Sequence, residues 1–583
     1  MRLRGKADEA IRPIPIWVHR FYQLRWVRLY DRSVITLLFS LTILASADEG
    51  ALRSLVNVRA TAERAADAPA HNAAAHIGAI PFDDVSAASP AALPVRADGP
   101  RRTAQALPPR AIISPSDPRI APQPGRFTGG SLGLYPEGDF ELMTGRECAQ
   151  RRCNAPREGT WYFLDDVIAV PKTGAPALVW IGSNEMLTGA TLSADGKSVR
   201  LQDGTSVPLS LVPRISTNRS FYDESTMRFF QNRPLRIRGE WVSENGARRF
   251  VARTIWPEDY RIDAATLVAD PASNNSAITD MVMRDNGGVQ SPFQTRLLWQ
   301  RPGSDRGWAG KPVIGVMVNG AQGDDDDAHV GHFSLFTGRY GPNGEMADWM
   351  FSNFYDLDQI SEKGILPSLI PMDKYLADLN SGQNYYRPTA IMVAVLKSDR
   401  VAEQVQQRYR ELYADYYAHK VTFHRTTKPC SSLIIDELRG LSWDIPNRGN
   451  SYAVTAGALA LMTGVGGMSW QGGKSVWDFM RQEQTRLFPR QAFEAVSGDM
   501  LNLAGVPGHG ARRELSHFER LLQEDLEAIL FVRMPQIPSS RAFGQGPAGD
   551  TFEYMRRVPL SRSKWKLSPE TGSRPFPPPG APR

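Results

Sequence analysis

The stretch Gly331-His-Phe-Ser-Leu-Phe-Thr-Gly338 predicts a β-strand that opens on a histidine. With a side-chain period of two, His332, Ser334 and Phe336 lie on one face of the strand, and the intervening residues lie on the other. The glycine before His332 leaves close access to the imidazole. A lone strand histidine is usually structural, so a chemical role for His332 requires a reactive partner elsewhere in the chain.

That partner is Cys430, within His424-Arg-Thr-Thr-Lys-Pro-Cys-Ser-Ser-Leu-Ile-Ile-Asp-Glu-Leu438. Pro429 precedes the thiol, and an apolar run with helical character follows it. A thiol at a helix N-terminus faces unpaired N–H groups and the positive end of the macrodipole, which lower its pKa. A free cysteine is most often a small buried hydrophobe. The polar flank Ser431-Ser432 favours a nucleophile instead, with His332 as its base.

The imidazole of such a pair needs a third polar group to orient it. We expect this group on the neighbouring strand, where Asn353, Asp348 and Asp356 are the candidates. Asn353 is preferred because it lies among aromatic residues in Phe-Ser-Asn-Phe-Tyr, where a polar side chain that points inward is expected to have a role. For each of the three, a turn or edge position is the alternative interpretation.

Three further histidines are weaker candidates for the base. His329 ranks second to His332 because it follows the acidic run Asp324–Asp327, which is interpreted as a solvated loop. His419 and His424 flank a short strand-like segment and are interpreted as surface or supporting residues.

The chain has three cysteines, which bear on its redox compartment. Cys148 and Cys153 are close in sequence and predict one local disulfide, whereas Cys430 remains a free thiol. A disulfide requires an oxidising compartment. A zinc site is disfavoured because neither the spacing nor nearby histidines complete a set of four ligands.

The N-terminus also favours export. Residues 1–47 contain the apolar core Ser33-Val-Ile-Thr-Leu-Leu-Phe-Ser-Leu-Thr-Ile-Leu-Ala45, which basic residues precede and Ala45-Ser-Ala47 ends. This pattern predicts a signal peptide. There are two alternatives: an uncleaved anchor that tethers the chain to the inner membrane, and a short buried helix. We therefore expect a periplasmic or secreted protein, which is anchored to the inner membrane if the segment is not cleaved.

Composition divides the remainder of the 583-residue chain into four regions. Residues 48–125 predict a disordered Ala/Pro-rich linker, and residues 535–583 a disordered Pro/Gly-rich tail. Short runs and turns at Ala194-Asp-Gly-Lys and Gln202-Asp-Gly-Thr predict a small antiparallel β-domain over residues 126–270. Strands followed by helices predict an α+β domain over residues 291–534. The strands expected there are 311–318, 331–338, 347–355 and 390–396, and the helices are 399–418, the one at Cys430, 453–462, 476–487 and 513–530.

Charge and glycine patterns argue against two classes of ligand. The formal charge is only +6, and no Lys/Arg stripe with interleaved aromatic residues is visible, so nucleic acid is not expected as a partner. The glycine-rich stretches Gly464-Val-Gly-Gly-Met and Gln471-Gly-Gly-Lys lack the spacing of a phosphate loop. We expect no cofactor and no metal.

Three motifs together resemble the circularly permuted papain-like thiol enzymes. They are Gly331-His-Phe-Ser-Leu-Phe-Thr-Gly338, Ser352-Asn-Phe354 and Thr426-Thr-Lys-Pro-Cys-Ser-Ser-Leu-Ile434, within the span Val313–Trp443. These enzymes include NlpC-type proteins and the lecithin–retinol acyltransferase group, and the resemblance is closest to the bacterial Lnb N-terminal periplasmic domain. The histidine precedes the cysteine in both. One departure is Pro429, where such domains commonly have asparagine.

The resemblance implies a permuted papain-like fold and thiol chemistry on an amide or ester. Cys430 would attack a carbonyl, His332 would act as base and then acid, and an acyl-enzyme would follow. Backbone N–H groups at the helix start would stabilise the oxyanion. Implied outcomes are hydrolysis or acyl transfer on a peptide amide, a peptidoglycan stem or a lipid ester. The alternative is a non-catalytic envelope binding or scaffold protein with a degenerate papain-like domain.

Overall fold

The structure, a computed structural model, describes the chain in segments. They are residues 112–116, 120–122, 132–134, 140–142, 167–171, 178–183, 185–212, 214, 220, 222–284, 292–326, 329–356, 365–417, 429–449, 482–510, 513–559 and 562–566. The chain divides into two compact units. One comprises Asp98–Arg448, Thr485–Tyr554 and Lys566–Arg583, and the other Met1–Ala97, Gly449–Gln484 and Met555–Trp565. Every strand of the described segments belongs to the first unit.

The architecture is mixed α+β, as expected. The strands are β1 Ile120–Pro122, β2 Leu132–Leu134, β3 Phe140–Leu142, β4 Val167–Pro171, β5 Leu178–Gly182, β6 Glu185–Leu192, β7 Ser198–Arg200, β8 Ser206–Leu211, β9 Leu235–Glu244, β10 Ala247–Pro257, β11 Gln294–Gln300, β12 Pro312–Asn319, β13 His332–Arg339, β14 Met350–Asp356, β15 Ile365–Pro371, β16 Thr389–Leu396 and β17 Leu526–Met534. The α-helices are α1 Glu224–Phe230, α2 Asn275–Met283, α3 Met372–Ala377, α4 Arg400–Tyr417, α5 Cys430–Gly440, α6 Gln484–Leu487, α7 Pro489–Leu503, α8 His517–Asp525 and α9 Thr551–Arg557, and short 3₁₀ turns form at Gln383–Tyr385 and Arg562–Lys564.

A ten-stranded sheet forms the centre, in the order β1-β4-β5-β15-β14-β13-β12-β16-β17-β11. From β15 to β11 every neighbouring pair is antiparallel. Strands β12, β16 and β17 are buried at every position, which explains their uninterrupted apolar runs. One hydrophobic core covers the face that carries Phe336, and a second covers the face that carries Phe333 and Leu335. The two faces of β13 are therefore those predicted from its alternation.

Strands β6 to β10 close into a separate barrel. The two predicted hairpin turns are confirmed, and their glycines Gly196 and Gly204 have φ of 68° and 86°, the left-handed conformation that such turns require. The expectation of a purely antiparallel domain is wrong at one place, because β10 pairs with β8 in parallel. Strands β1, β4 and β5 also fall within or beside the predicted β-domain, yet they extend the ten-stranded sheet, where β5 pairs with β15.

Helix predictions succeed where the apolar period is helical. The long helix expected over residues 399–418 is α4, and the helix expected at the thiol is α5. The prediction of helix over residues 513–530 is wrong for its last five residues. Helix α8 ends at Asp525, and Leu526–Met534 forms β17 between β16 and β11. This segment is buried at every position and therefore fits a central strand.

The predicted disorder near the ends is wrong for the described parts. Ile112 and Ile113 are buried, and the Ile113 N–H donates to Gln406 Oε1 at 2.9 Å. Ile537 is fully buried, and its N–H donates to the Asn384 carbonyl at 2.7 Å. Apolar residues of these segments pack against the core, although the surrounding sequence is rich in Pro and Gly. Residues 1–47 lie outside the described segments, within which no helix is long and apolar enough to cross a membrane.

A buried ion cluster joins the barrel to the central sheet. Asp373 of α3 is fully buried and pairs with Arg238 at 2.6 Å and Arg236 at 3.0 Å, both on β9. Burying a carboxylate is tolerated only when cations and hydrogen bonds compensate for its lost hydration. The pairing also holds α3 against β9, and α3 carries Tyr375, a residue of the candidate site.

We expect Asp373→Ala to destabilise the protein by about 3–5 kcal/mol, because it leaves the buried Arg238 and the partly buried Arg236 without this carboxylate. Urea unfolding followed by tryptophan fluorescence measures the change. Asp259→Ala is a matched control: Asp259 also pairs with an arginine, at 2.6 Å, but its side chain is 43% exposed. This control should cost less than about 1 kcal/mol. Equal losses in the two variants would contradict a specific role for the buried cluster.

Candidate thiol site

The register of the central strands brings His332 and Asn353 together. Phe336 of β13 lies opposite Phe351 of β14, so His332 and Asn353 lie on the same face of the sheet as this aromatic pair. The distance from His332 Nε2 to Asn353 Oδ1 is 3.2 Å. Asn353 is 6% exposed, whereas His332 is only partly buried. The buried amide is thus hydrogen bonded to an imidazole that solvent can reach.

This hydrogen bond fixes the roles of the two ring nitrogens. The carbonyl oxygen of an amide only accepts hydrogen bonds, so Nε2 of His332 donates to Asn353 and carries the proton. The other nitrogen, Nδ1, is then the basic one when the ring is neutral. Asn353 can therefore orient the imidazole and select its tautomer.

Cys430 is the first residue of α5, as predicted. Pro429 is the N-cap, with φ −71° and ψ −179°, and its carbonyl accepts the N–H groups of Ser432 and Leu433 at 3.0 and 3.2 Å. The Ser432 hydroxyl donates to the same carbonyl at 2.9 Å. Within the described segments, the N–H groups of Cys430 and Ser431 have no acceptor. They are the unpaired donors that a helix start leaves available.

The helix is held by its apolar face. Ile434, Ile435 and Leu438 are buried in the core that also contains Phe333 and Leu335. The helix thus packs beside the strand that begins with His332. At the start of the helix, the His332 side chain and the Phe333 backbone act on the Cys430 thiol and lower its pKa.

Opposing effects set the pKa of the Cys430 thiol. Burial is the largest and raises the pKa, but the charge and side chain of His332, the Phe333 backbone and the Ser431 side chain lower it to about 7. The residue remains partly accessible to solvent. Cys430 is thus a free thiol that is substantially ionised at neutral pH and can be reached from outside.

Tyr375 lies beneath the imidazole, and the sequence did not single it out. Its hydroxyl is 2.9 Å from the Ser334 hydroxyl, and its ring centroid is 6.4 Å from that of His332. Its ring stacks on Phe351 at 5.0 Å. Burial raises the pKa of Tyr375 well above its usual range, so this residue is a neutral phenol at the site.

The alternative candidates have other partners. Asp348 forms ion pairs with Arg236 and Arg238 instead of approaching His332. His329 is buried, and its Nε2 is 3.0 Å from Asp326 Oδ1. The interpretation of the acidic run as a solvated loop is wrong for Asp326, which is 3% exposed. The remaining positions lie outside the described residues or side chains; they are Asp356, His419, His424, Cys148 and Cys153.

No protein-family model, no curated protein and no solved structure matches this chain. Within the described segments, no group of three or more His, Cys, Asp or Glu residues could hold a metal ion. The side chains of this site supply a thiol, an imidazole and an amide.

We expect the rate of Cys430 alkylation by iodoacetamide to rise with pH around a midpoint near 7, because the thiolate is the reactive form. For an ordinary thiol, the midpoint of the alkylation rate against pH would be about 8.5. Quenched reactions followed by peptide mass spectrometry measure modification at Cys430 alone, and Cys430→Ala provides the blank. A midpoint at or above that of an ordinary thiol would contradict the activated state.

Proposed function

We propose that this protein is an exported cysteine hydrolase or acyltransferase that acts on an amide or ester through an acyl-enzyme. The observation that carries the proposal is the interaction of the Cys430 thiol, whose pKa is lowered to about 7, with the charge of an imidazole that Asn353 holds at 3.2 Å. A free thiol, a positioned base and an orienting amide are the parts that nucleophilic catalysis requires.

In the first half of the reaction, the Cys430 thiolate attacks the carbonyl carbon, and the electron pair of the C=O bond moves onto oxygen. The N–H groups of Cys430 and Ser431, which have no acceptor in the described segments, can stabilise this oxyanion. When the intermediate collapses, the leaving amine or alkoxide takes the proton from the His332 imidazolium. A thioester on Cys430 and a neutral imidazole remain.

In the second half, Nδ1 of His332 accepts a proton from water or from an acceptor hydroxyl or amine as this group attacks the thioester. Collapse releases the acid or the transferred acyl product and returns the thiolate and imidazolium. The hydrogen bond between Nε2 and Asn353 is retained throughout, so the ring keeps one orientation in both halves. The proposed reaction requires no cofactor.

A permuted papain-like fold is part of the proposal. The chain order is His332, Asn353 and then Cys430, with the histidine at the head of a strand in an antiparallel sheet and the cysteine at the head of a helix. This order agrees with the resemblance drawn from the three sequence motifs. Fold by itself does not select among peptidase, amidase and acyltransferase activity.

The proposed place of action is the periplasm or the cell exterior, with a tether to the inner membrane if the N-terminal segment is retained. Support comes from the basic flank, apolar core and small-residue exit within residues 1–47. Substrates in that compartment that contain an amide or ester include peptide amides, peptidoglycan stems and lipid esters.

We expect p-nitrophenyl acetate to acetylate wild-type Cys430. The variant His332→Ala should turn over this ester about 10²-fold more slowly. This factor is at the low end of the rate enhancement that a general base provides, because the nitrophenolate leaving group needs no proton. Nitrophenolate release measures turnover, and intact mass measures the acyl-enzyme. His517→Ala is the matched control, because His517 is an exposed histidine at the start of α8. A wild-type protein that is neither acetylated nor alkylated at Cys430 would be a non-catalytic scaffold.

We expect Asn353→Leu to lower turnover while leaving the thiol in place, because the hydrogen bond that orients His332 is lost. Asn353→Asp retains an acceptor oxygen and should recover activity. Its added negative charge should raise the pKa of the imidazole and move the pH profile, a change that a purely structural role would not produce. Equal loss in both variants, with an unshifted profile, would argue against a positioning role for Asn353.

A further inference from the structure

Arg387 lies at the same end of the sheet as the thiol. In the strand register, His332 of β13 is opposite Asn319 of β12, which is opposite Thr389 of β16. The three residues form a row across the sheet, and Arg387 precedes Thr389 by two positions. Its backbone N–H donates to the Gln383 carbonyl at 3.1 Å, which fixes the chain where it enters β16.

The guanidinium of Arg387 lacks an ion-pair partner among the described residues. No described residue forms an ion pair or a side-chain hydrogen bond with it, although Arg387 is only partly exposed and its Nε is completely buried. Its two terminal nitrogens are not among the buried unpaired atoms, so they retain access to solvent. A guanidinium has five N–H donors, so Arg387 presents an unused fork that an incoming group can reach.

The carboxylates nearby pair with other cations. Arg541 forms an ion pair with Asp324 at 2.9 Å, and its nearest approach to Asp325 is 3.8 Å. Asp326 lies 3.0 Å from His329. Asp325 acts on Arg387 electrostatically, but no ion pair joins the two. Asp324, Asp325 and Asp326, the described residues of the acidic run, therefore form no ion pair with Arg387.

Arg387, the Tyr375 hydroxyl and the Cys430 sulfur interact electrostatically with one another in all three pairs. Tyr375 is in turn hydrogen bonded to Ser334, two residues after His332. Arg387 is thus within electrostatic range of the reacting sulfur. Burial lowers the pKa of Arg387 to about 10, and the arginine still carries its charge at neutral pH.

We propose that Arg387 binds a carboxylate of the substrate beside Cys430, so that the site selects acyl compounds with a carboxylate close to the scissile carbonyl. The planar guanidinium fork matches a carboxylate in a bidentate geometry. An uncompensated cation is costly in a partly buried site, and an anionic ligand relieves that cost. This inference rests on the proposed thiol chemistry and adds a substrate class to it.

The test compares two alkylating reagents of the same size and mechanism, anionic iodoacetate and neutral iodoacetamide. Relative to free cysteine, wild-type Cys430 should favour iodoacetate by about 10- to 100-fold, the range of a hydrogen-bonded charge pair. The ratio of the two alkylation rates does not depend on the thiolate fraction, because both reagents attack the same sulfur. Arg387→Gln should return the ratio to that of free cysteine, and Arg387→Lys should retain part of the preference.

Arg339→Gln is the matched control and should keep the wild-type ratio. Arg339 ends the same strand that His332 begins, and it pairs with Asp399 at 2.7 Å. If Arg387→Gln fails to fold, wild-type protein provides the second measurement, in which succinate but not succinamide should slow labelling by iodoacetamide. Equal effects of these two compounds would overturn the inference.

The remaining outcomes separate the two proposals. Labelling by iodoacetamide that depends on His332 but shows no iodoacetate preference overturns the carboxylate site and leaves the thiol chemistry intact. A preference that persists in Arg387→Gln also overturns it, because another cation would then supply the preference. Failure of Cys430 to react with either reagent overturns the proposed function itself.

Discussion

The candidate site depends on the antiparallel register between β13 and β14. The pairing of Phe336 with Phe351 places His332 and Asn353 on one face, close enough for a hydrogen bond of 3.2 Å. A slip of one residue would turn every side chain of one strand to the opposite face. The aromatic cluster of Phe336, Phe351 and Trp349 occupies that face and stabilises the observed register.

Burial and charge act in opposite directions at the thiol. Burial favours the neutral form of Cys430, whereas His332 and the polar groups of Phe333 and Ser431 favour the thiolate, and their sum places the pKa near 7. The same competition acts on Arg387, where burial prevails and lowers the pKa to about 10. The carboxylate that we propose as part of the substrate would meet this partly buried cation.

Sequence periodicity predicted the elements of the site well. The period of two around His332 and the helical run after Cys430 are local patterns, and both elements form where they were expected. Residues 526–530 were predicted as helix and belong to strand β17, because an apolar run without a clear period fits either structure until its neighbours are known. The ordered residues after 535 were missed for a related reason, since their Pro- and Gly-rich composition hides single apolar residues such as Ile537 that fill sites on the core.

The sequence by itself determined which residue types stand at the head of a strand and at the head of a helix, and hence the pairing of His332 with Cys430 as a hypothesis. Only the tertiary structure decided between Asn353 and Asp348, because that choice depends on strand register and on the arginines of β9 that bind Asp348. It also brought Tyr375 and Arg387 within electrostatic range of the thiol. Contacts between residues so distant in sequence follow from sheet order and burial, which local patterns do not encode.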